Sequence, residues 1–300
     1  MNLTIDEIYE KYDLQLRHKF QLGNVCKSVF RVQDAAGNAL VLKIGCNPDG
    51  IAEIQKNITG YNKLIAMGLD FFIPRIHTCE IKAESAVLIM EDCGEDVLTQ
   101  IKNSRTPALL FEQVLERIEQ IYRLSKRPGN DGQTMILDVL KNINELYNDH
   151  LRKKFDPIGH LEENLNSLAH VFDNIAFSFC CFSNWDFTPD DVYLTSSGIK
   201  YSDPHEQVTG IPIIDLACFA GVAMAHGLPG SEQAYGKIES FAIHRVAGIL
   251  EIDEHTARKL FFLGRILQCF LSARFRSKDF HEQSKQLFAE TAIHLEKITG

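Results

Sequence analysis

The sequence contains no run of about 18 consecutive apolar residues, so it does not predict a membrane-spanning helix. Its first residues, Met1 to Glu7, have neither a basic start nor an apolar stretch, and they do not resemble a signal peptide. Internal repeats and low-complexity segments are also missing. With 300 residues, of which 45% are hydrophobic, the chain is large enough to bury a substantial core. We expect a globular protein with no membrane partner.

Paired cysteine spacings are absent as well. None of the eight cysteines forms a Cys-x-x-Cys pair or a Cys/His ligand spacing, although Cys180 and Cys181 are adjacent. The sequence therefore does not favour a zinc site. Reduced, buried thiols in a cytoplasmic protein are the interpretation that this pattern favours.

A basic excess is missing too, since the formal net charge is −9. Nucleic-acid binding needs a basic face, so the composition argues against a nucleic-acid partner. An acidic excess is compatible with a cationic small-molecule substrate. It is equally compatible with a solvated acidic surface that keeps the protein soluble.

The N-terminal third of the chain is rich in strand signals. Runs of β-forming residues within 14–44 are separated by turn signals, and two further strands are predicted at 74–79 and 86–90. Apolar residues at helical spacing predict a helix over 51–67, after a short leading helix over 5–12. These patterns predict a five-stranded antiparallel sheet with one helix.

Helical periodicity dominates after Gly94. We therefore expect an α+β protein with a small β lobe over 1–91, followed by a large, mainly helical lobe over 92–300. The helices of the second lobe are predicted over 107–124, 135–155, 160–177, 212–226, 231–250, 253–276 and 280–297.

The most informative segment lies between these helices. It begins with Asn184-Trp185-Asp186 and continues to Asp191, after which two short β-rich runs flank the turn signal Ser196-Ser197-Gly198. The second run stops at Asp203, so a hairpin would return Asp203 to the side of Asp186 and Asp191. Carboxylates gathered in this way resist joint ionisation unless a cation lies among them. The pattern predicts a site for a divalent metal and for phosphate transfer.

The order of these features resembles the aminoglycoside phosphotransferase and choline kinase-like family, within the protein-kinase-like fold. The family's loop reads His-x-Asp-x-x-x-x-Asn and is followed by a hairpin and a metal-binding Asp. Asn184 stands here in place of the His, and Asp191 stands in place of the Asn. The segment from Asp203-Pro204 to Asp215-Leu216-Ala217 is similar in the order of its residues to the corresponding segment of streptomycin and hydroxyurea phosphotransferases.

The resemblance implies a role for each acidic residue. Asp186 would be the catalytic base that takes a proton from the substrate hydroxyl, while Asp203 and Asp191 would hold Mg²⁺ on ATP. Asp215 would support the catalytic loop, or it would serve only as a favourable charge at a helix N-terminus. Turn and cap chemistry is the other interpretation of Asp186 and Asp191.

Lys43 lies within the apolar strand Val41-Leu42-Lys43-Ile44. The resemblance implies that it binds the α- and β-phosphates and pairs with a helix Glu, and the alternative is an edge-strand lysine that points to water. Glu53 is the one acidic residue in the predicted helix 51–67. The family's Glu, however, usually sits nearer to Asn57 or Thr59, and Glu53 also fits a first-turn acid that favours the helix dipole.

Two more segments complete the implied nucleotide site. The loop containing Gly23 and Ser28 would cover the phosphates, although a plain hairpin turn also fits this segment. The segment around Glu91 and Cys93 would be a hinge whose backbone groups bind the adenine edge, or it would be an ordinary strand end.

These implications support an ATP-dependent phosphotransferase that acts on a hydroxyl of a small molecule. A pseudokinase that binds a nucleotide or a partner without turnover is the alternative, because positions 184 and 191 depart from the family pattern. A metal-dependent phosphohydrolase is less favoured, since it leaves Lys43 without a role.

Overall fold

The computed structural model describes residues 4–19, 28–156, 158–173, 175–184, 187–225, 231–276 and 281–299. The chain divides into two compact units. The first unit contains Met1–Asp96 and Asp191–Val208, and the second contains Val97–Asp190 and Thr209–Gly300. The predicted lobes, 1–91 and 92–300, stay a prediction, because compactness does not test whether either stretch folds as a domain.

The first unit is built on a five-stranded antiparallel sheet, as the sequence predicts. The strand order is β1-β2-β3-β5-β4, so each strand pairs with a neighbour of opposite direction. One face of the sheet buries alternate side chains of β3 together with Ile8 of the leading helix. The elements are α1 (Ile5–Tyr12), β1 (Leu14–Lys19), β2 (Ser28–Asp34), β3 (Ala39–Gly45), α2 (Pro48–Ala66), β4 (Ile76–Ile81) and β5 (Ala86–Glu91), with a short 3₁₀ turn at Asp70–Phe72.

Helix α2 begins and ends on clear sequence signals. The Asn47 side chain caps its N-terminus by accepting a hydrogen bond from the Gly50 N–H, and Pro48 occupies the first turn. The helix ends before Gly68, which has a positive φ of 76°. Its buried face consists mainly of apolar residues at helical spacing, but it also includes Asn57. A buried amide on an otherwise apolar face needs hydrogen-bond partners.

The predicted hairpin is present and belongs to the first unit. Strands β8 (Val192–Thr195) and β9 (Gly198–Tyr201) pair antiparallel, and the Ser202 N–H donates to the Asp191 carbonyl at the base of the hairpin. Tyr201 stacks on Phe72 with 5.9 Å between the ring centroids. The hairpin is therefore held against the segment that links α2 to β4.

The second unit is mainly helical. Its helices are α3 (Val97–Asn103), α4 (Pro107–Ser125), α5 (Asp131–Glu145), α6 (Arg152–Phe155), α7 (Glu162–Phe172), α8 (Pro212–Ala225), α9 (Ser231–Ser240), α10 (Ala247–Leu250), α11 (Glu254–Arg276) and α12 (His281–Thr299). π-Helical segments at Leu146–Leu151 and Phe241–Val246 interrupt two stretches that the sequence predicts as continuous helices. No helix within the described ranges is both long and apolar enough to cross a membrane.

A three-stranded sheet in the second unit was not predicted. It has the order β10-β7-β6, where β6 is Arg127–Pro128, β7 is Phe179–Phe182 and β10 is Thr209–Gly210. The prediction of a helix over 160–177 is wrong beyond Phe172, where α7 ends, because 175–177 have no regular secondary structure. Strand β7 was not predicted because a short, mostly buried strand has no alternation that distinguishes it from other apolar segments.

Two helical glycines provide a test of the packing between α2 and the chain after the hairpin. A Cβ at Gly60 would lie 2.4 Å from the His205 carbonyl oxygen and 2.8 Å from that of Pro204, whereas a Cβ at Gly236 would meet nothing within 4 Å. We expect Gly60→Ala to lower the free energy of unfolding by about 1–3 kcal/mol through overpacking. Gly236→Ala, the matched control, should leave it unchanged or raise it by up to about 1 kcal/mol.

Thermal and urea unfolding of the two variants would measure this difference. Equal stability of the two alanine variants would contradict the close approach at Gly60.

Candidate functional site

The candidate site begins with a lysine buried in the first unit. Lys43 lies in the middle of β3, between Leu42 and Ile44, whose side chains join the core on the opposite face of the sheet. Only 5% of Lys43 is exposed. This burial excludes the alternative of an edge-strand lysine that points to water. A buried ammonium is costly unless acceptors surround it.

Three acceptors surround the Lys43 ammonium. Nζ lies 2.8 Å from Asp203 Oδ1, 3.1 Å from the Ser202 carbonyl oxygen and 3.3 Å from Asn57 Oδ1. An ammonium has three N–H donors, so these contacts use its full capacity. The pair with Asp203 is an ion pair in which the carboxylate is the more exposed member, with 28% of its side chain accessible.

Asn57 links the lysine to the chain that follows the hairpin. Its side-chain oxygen accepts from Lys43, and its side-chain nitrogen donates to the Pro204 carbonyl at 3.3 Å. Glu53, although described, is not among the acceptors of Lys43. The predicted Lys43–Glu53 pair is not formed in this structure, and a role for Glu53 in nucleotide binding stays a prediction.

Tyr61 lies one helical turn after Asn57 and is completely buried. Its hydroxyl donates to the Ser202 carbonyl oxygen, the same atom that accepts from Lys43. Burial, followed by the negative charges of Asp203 and Asp191, raises the pKa of Tyr61 well above its usual value. The charges of both carboxylates therefore disfavour ionisation of this buried phenol, and their role as metal ligands stays a prediction.

The donor chemistry at this point fits a hard divalent cation. Asp191 and Asp203 lie at the two ends of one hairpin and could supply carboxylate oxygens, and Mg²⁺ prefers oxygen ligands from one or two carboxylates plus phosphates. Tyr193, on β8, lies close to Asp191 as well, and burial raises its pKa so that the hydroxyl stays protonated.

In the second unit, the described residues directly before and after Trp185 and Asp186 contact helix α8. Asn184 is fully buried, and its N–H donates at 2.8 Å to Oδ2 of the equally buried Asp215 at the start of α8. An Asp that supports the loop would make such a contact, and this role of Asp215 stays a prediction. Phe187 packs against Phe219 of α8 with 5.7 Å between ring centroids. Trp185 and Asp186 themselves lie outside the described residues.

The remaining predicted residues lie on the strands of the first unit. Ser28 opens β2 and pairs with Ile44, while Gly23 lies outside the described residues. The Glu91 N–H already donates to the Arg75 carbonyl at 2.8 Å, so adenine could contact this residue's backbone only through its carbonyl. Burial raises the pKa of the Cys93 thiol to about 12, so the thiol is neutral and unreactive at physiological pH.

Three polar residues contribute contacts that the sequence did not predict. Arg31 of β2 binds Asp92 at 2.5 Å and the Gly94 carbonyl at 2.6 Å, which fixes the segment after β5. A charged residue inside an apolar strand could have revealed Arg31, as it revealed Lys43. Asn57 was detectable as a polar residue on the apolar face of α2. Tyr61 was counted as an apolar member of that face, and no sequence signal indicated its hydroxyl contact.

Comparison with protein-family models finds no match, and neither does comparison with curated protein sequences. Solved structures do match. The choline kinase LicA from Streptococcus pneumoniae is 12% identical, with a TM-score of 0.61 over 97% of this chain and 98% of LicA. The streptomycin–ATP–APH(2")-IIa ternary complex is 11% identical, with a TM-score of 0.59 over 99% of each chain.

Amicoumacin kinase hAmiN, in complex with AMP-PNP, Ca²⁺ and Ami, is 13% identical, with a TM-score of 0.54 over 99% of this chain and 93% of the kinase. Identities this low show the fold alone. The α+β, protein-kinase-like fold that the sequence predicts is therefore confirmed.

Proposed function

We propose that this protein is an ATP-dependent phosphotransferase that moves the γ-phosphoryl group to a hydroxyl of a small molecule. The observation that supports this most is the buried Lys43–Asp203 pair at the base of the hairpin, on a protein-kinase-like fold. Two of the similar structures contain ATP or AMP-PNP, and the latter also contains Ca²⁺. A buried lysine beside a partly exposed carboxylate is an arrangement that can bind both a polyphosphate and its metal.

Nucleotide binding at Lys43 would be an exchange of acceptors. Because its three donors are already used, phosphate oxygens must replace at least one present partner. Asn57 is the most distant and is uncharged, so it is the partner that we expect the α- and β-phosphate oxygens to displace. The ammonium would then remain fully hydrogen-bonded, and its charge would offset phosphate charge in a site of low dielectric constant.

Asp203 and Asp191 would hold Mg²⁺, which, when bound, neutralises charge on the β- and γ-phosphates. Asp186 would accept the proton of the substrate hydroxyl, and its loop would be oriented through Asn184 and Asp215. Much of the rate enhancement would come from positioning and electrostatics.

The nucleotide's other contacts are proposed from the strands. The Glu91 carbonyl and the Cys93 N–H would bind the adenine edge, and the Arg31 contacts with Asp92 and the Gly94 carbonyl would hold this segment in place. Gly23 and Ser28 would cover the phosphates, and Glu53 would contribute only if it approaches Lys43 on nucleotide binding.

The acceptor is proposed to be a small molecule with a hydroxyl and a positive charge. The net charge of −9 favours a cationic ligand by long-range attraction. The similar structures include a choline kinase and a complex with streptomycin, which are consistent with such an acceptor.

A catalytically impaired nucleotide-binding protein is the second candidate. One observation favours it: the helix partner of Lys43 is the amide of Asn57, whereas the family pattern has a carboxylate near this position. Turnover separates the two candidates, because both predict binding of ATP and Mg²⁺.

The first prediction separates chemistry from binding. We expect Asp186→Asn to abolish phosphate transfer while keeping the thermal shift caused by ATP and Mg²⁺, because the base is not needed for binding. Asp203→Asn should abolish transfer and most of the Mg²⁺-dependent shift. Asp190→Asn, which changes an exposed neighbouring carboxylate, is the control and should retain transfer. The assay is ATP-dependent phosphorylation of choline, aminoglycosides and related amino alcohols.

Unchanged transfer by Asp186→Asn would overturn the assignment of the base. Binding without transfer to any acceptor, by the wild-type protein as well, would favour the second candidate.

The second prediction concerns charge at the metal site. Asp191→Asn removes one of the two carboxylates contributed by the hairpin, so we expect the Mg²⁺ concentration for half-maximal ATP binding to rise by about three- to tenfold. Titration of Mg²⁺ against fluorescent-nucleotide binding would measure it. Tighter Mg²⁺ binding by the variant would contradict a ligand role for Asp191.

The third prediction tests the exchange of acceptors at Lys43. Asn57→Leu leaves a buried ammonium with one unsatisfied donor, so the free energy of unfolding without nucleotide should fall by about 1–3 kcal/mol. Bound phosphate would supply the missing acceptor. The thermal shift on adding ATP and Mg²⁺ should therefore be larger in the variant than in the wild type.

Thr59→Val is the matched control, because Thr59 is an exposed residue of the same helix and hydrogen-bonds only within it. A nucleotide-induced shift no larger in Asn57→Leu than in Thr59→Val would contradict the exchange.

A further inference from the structure

Three side chains with metal-binding chemistry meet between the last two helices of the second unit. Cys269 lies on α11, and Glu290 and His294 lie on α12. The last two are four residues apart, so they lie on one face of their helix. One ligand atom from each of the three residues lies within 4.8 Å of the other two. Within the described residues, no other group of three Cys, His, Asp or Glu side chains has this arrangement.

Cys269 and His294 are buried while Glu290 is partly exposed, and the cluster contains a buried polar atom without a partner among the described residues. Cys269 is fully buried, and His294 is 7% exposed. His294 Nδ1 is inaccessible and has no hydrogen-bond partner among the described residues. The imidazole ring is held by stacking on Phe262, with 5.6 Å between the ring centroids. An unsatisfied buried nitrogen costs free energy that a bound ligand can recover.

The distance between the sulfur and the carboxylate matches metal coordination. Cys269 Sγ lies 3.7 Å from Glu290 Oε2. Two ligands of a tetrahedral zinc ion, one sulfur and one oxygen, would be about 3.6 Å apart, given bond lengths of about 2.3 and 2.1 Å. Coordination would therefore need little movement of these two atoms.

A buried arginine contacts the same carboxylate oxygen as the thiol. Arg265, which is 2% exposed, places Nη2 at 3.4 Å from Glu290 Oε2 and donates from Nη1 to Gln268 at 2.5 Å. A charged hydrogen-bond partner behind a ligating carboxylate is typical of metal sites in proteins. Arg265 also adds positive charge next to the cluster. A bound cation is therefore favourable only if one of its ligands becomes negatively charged on binding. The thiol of Cys269 can supply that charge.

We propose that Cys269, Glu290 and His294 form a binding site for a thiophilic divalent metal of the zinc class. Binding breaks the S–H bond of Cys269, forms a metal–thiolate bond and releases the proton to solvent. The imidazole and the carboxylate complete a set of nitrogen, sulfur and oxygen ligands that suits zinc. The metal links α11 to α12, and none of its ligands takes part in the proposed phosphate transfer.

The site was not expected from the sequence, because Cys269 is far from the Glu290–His294 pair along the chain. Only the packing of α11 against α12 brings the thiol to the four-residue pair. The pair alone is common on helices and is no indication of a metal.

Cobalt(II) provides the direct test, since a cobalt–thiolate bond has a charge-transfer band in the near ultraviolet. The protein should be the full chain without a polyhistidine tag, reduced with a phosphine that does not compete for metal. We expect one equivalent of Co²⁺ to produce the band and Zn²⁺ to remove it. Cys269→Ala should lose the band, and His294→Gln and Glu290→Gln should each weaken Co²⁺ binding at least tenfold.

Two controls identify the site. Cys218→Ala removes another buried thiol of the second unit and should keep the band. Asp203→Asn removes a ligand of the proposed Mg²⁺ site and should also keep it, so failure of the two proposals can be distinguished. Circular dichroism tests whether each variant is folded. If Cys269→Ala does not fold, the Co²⁺ affinity of His294→Gln tests the proposed site instead.

Absence of the band in the wild-type protein overturns the proposal. So does a band that survives in Cys269→Ala, or Co²⁺ affinity that stays within about twofold in both His294→Gln and Glu290→Gln.

Discussion

The first unit depends on the compensation of one buried positive charge. Lys43 sits in a central strand at 5% exposure, where an unpaired ammonium would cost several kcal/mol (about 3–5 by analogy with broken buried pairs). Its charge is compensated by three acceptors: the Asn57 side chain on α2, the Ser202 carbonyl just after β9 and the Asp203 carboxylate. The ammonium therefore fixes the end of the hairpin against the sheet and the helix. A buried lysine would destabilise an ordinary apolar core. Here its need for acceptors favours one arrangement of the hairpin, the sheet and α2.

The close approach of α2 to the chain after the hairpin follows from the same requirement. Asn57 can reach both Lys43 and the Pro204 carbonyl only if the helix lies directly against residues 204–205. Gly60, one turn later, has no side chain to prevent this contact. Tyr61 then reaches the Ser202 carbonyl that Lys43 also uses. Gly60, Asn57 and Tyr61 thus act together, because all three contacts require the same close packing of α2 against the chain after the hairpin.

The parts of the fold that could be predicted from sequence are those with local signals. The hairpin was predictable because Ser-Ser-Gly separates two short β-rich runs, and α2 because apolar residues recur at helical spacing before Gly68. Lys43 was predictable as a polar residue in an apolar strand. The partner of Lys43 was not, because the choice between Glu53 and Asn57 depends on how α2 is rotated against β3. Strand β7 was missed for a similar reason: its pairing with β6 and β10 is a tertiary contact, and its residues carry no alternation.

The two departures from the family pattern in the first unit balance each other in charge. The family places a carboxylate on the helix and a neutral Asn at the position of Asp191. This chain has the neutral Asn57 on the helix and a carboxylate at 191, and the charges of Asp203 and Asp191 both contribute to the raised pKa of the buried Tyr61. Either pattern therefore contains one lysine and two carboxylates, so the formal charge of the set is the same. What changes is the location of the second carboxylate, which moves from beside the ammonium to the base of the hairpin.

An ammonium paired with one carboxylate rather than two can exchange a neutral partner for phosphate more easily. A metal held by two hairpin carboxylates also keeps more negative charge close to it. Both effects are compatible with nucleotide binding, so neither departure by itself is a reason to expect an inactive protein.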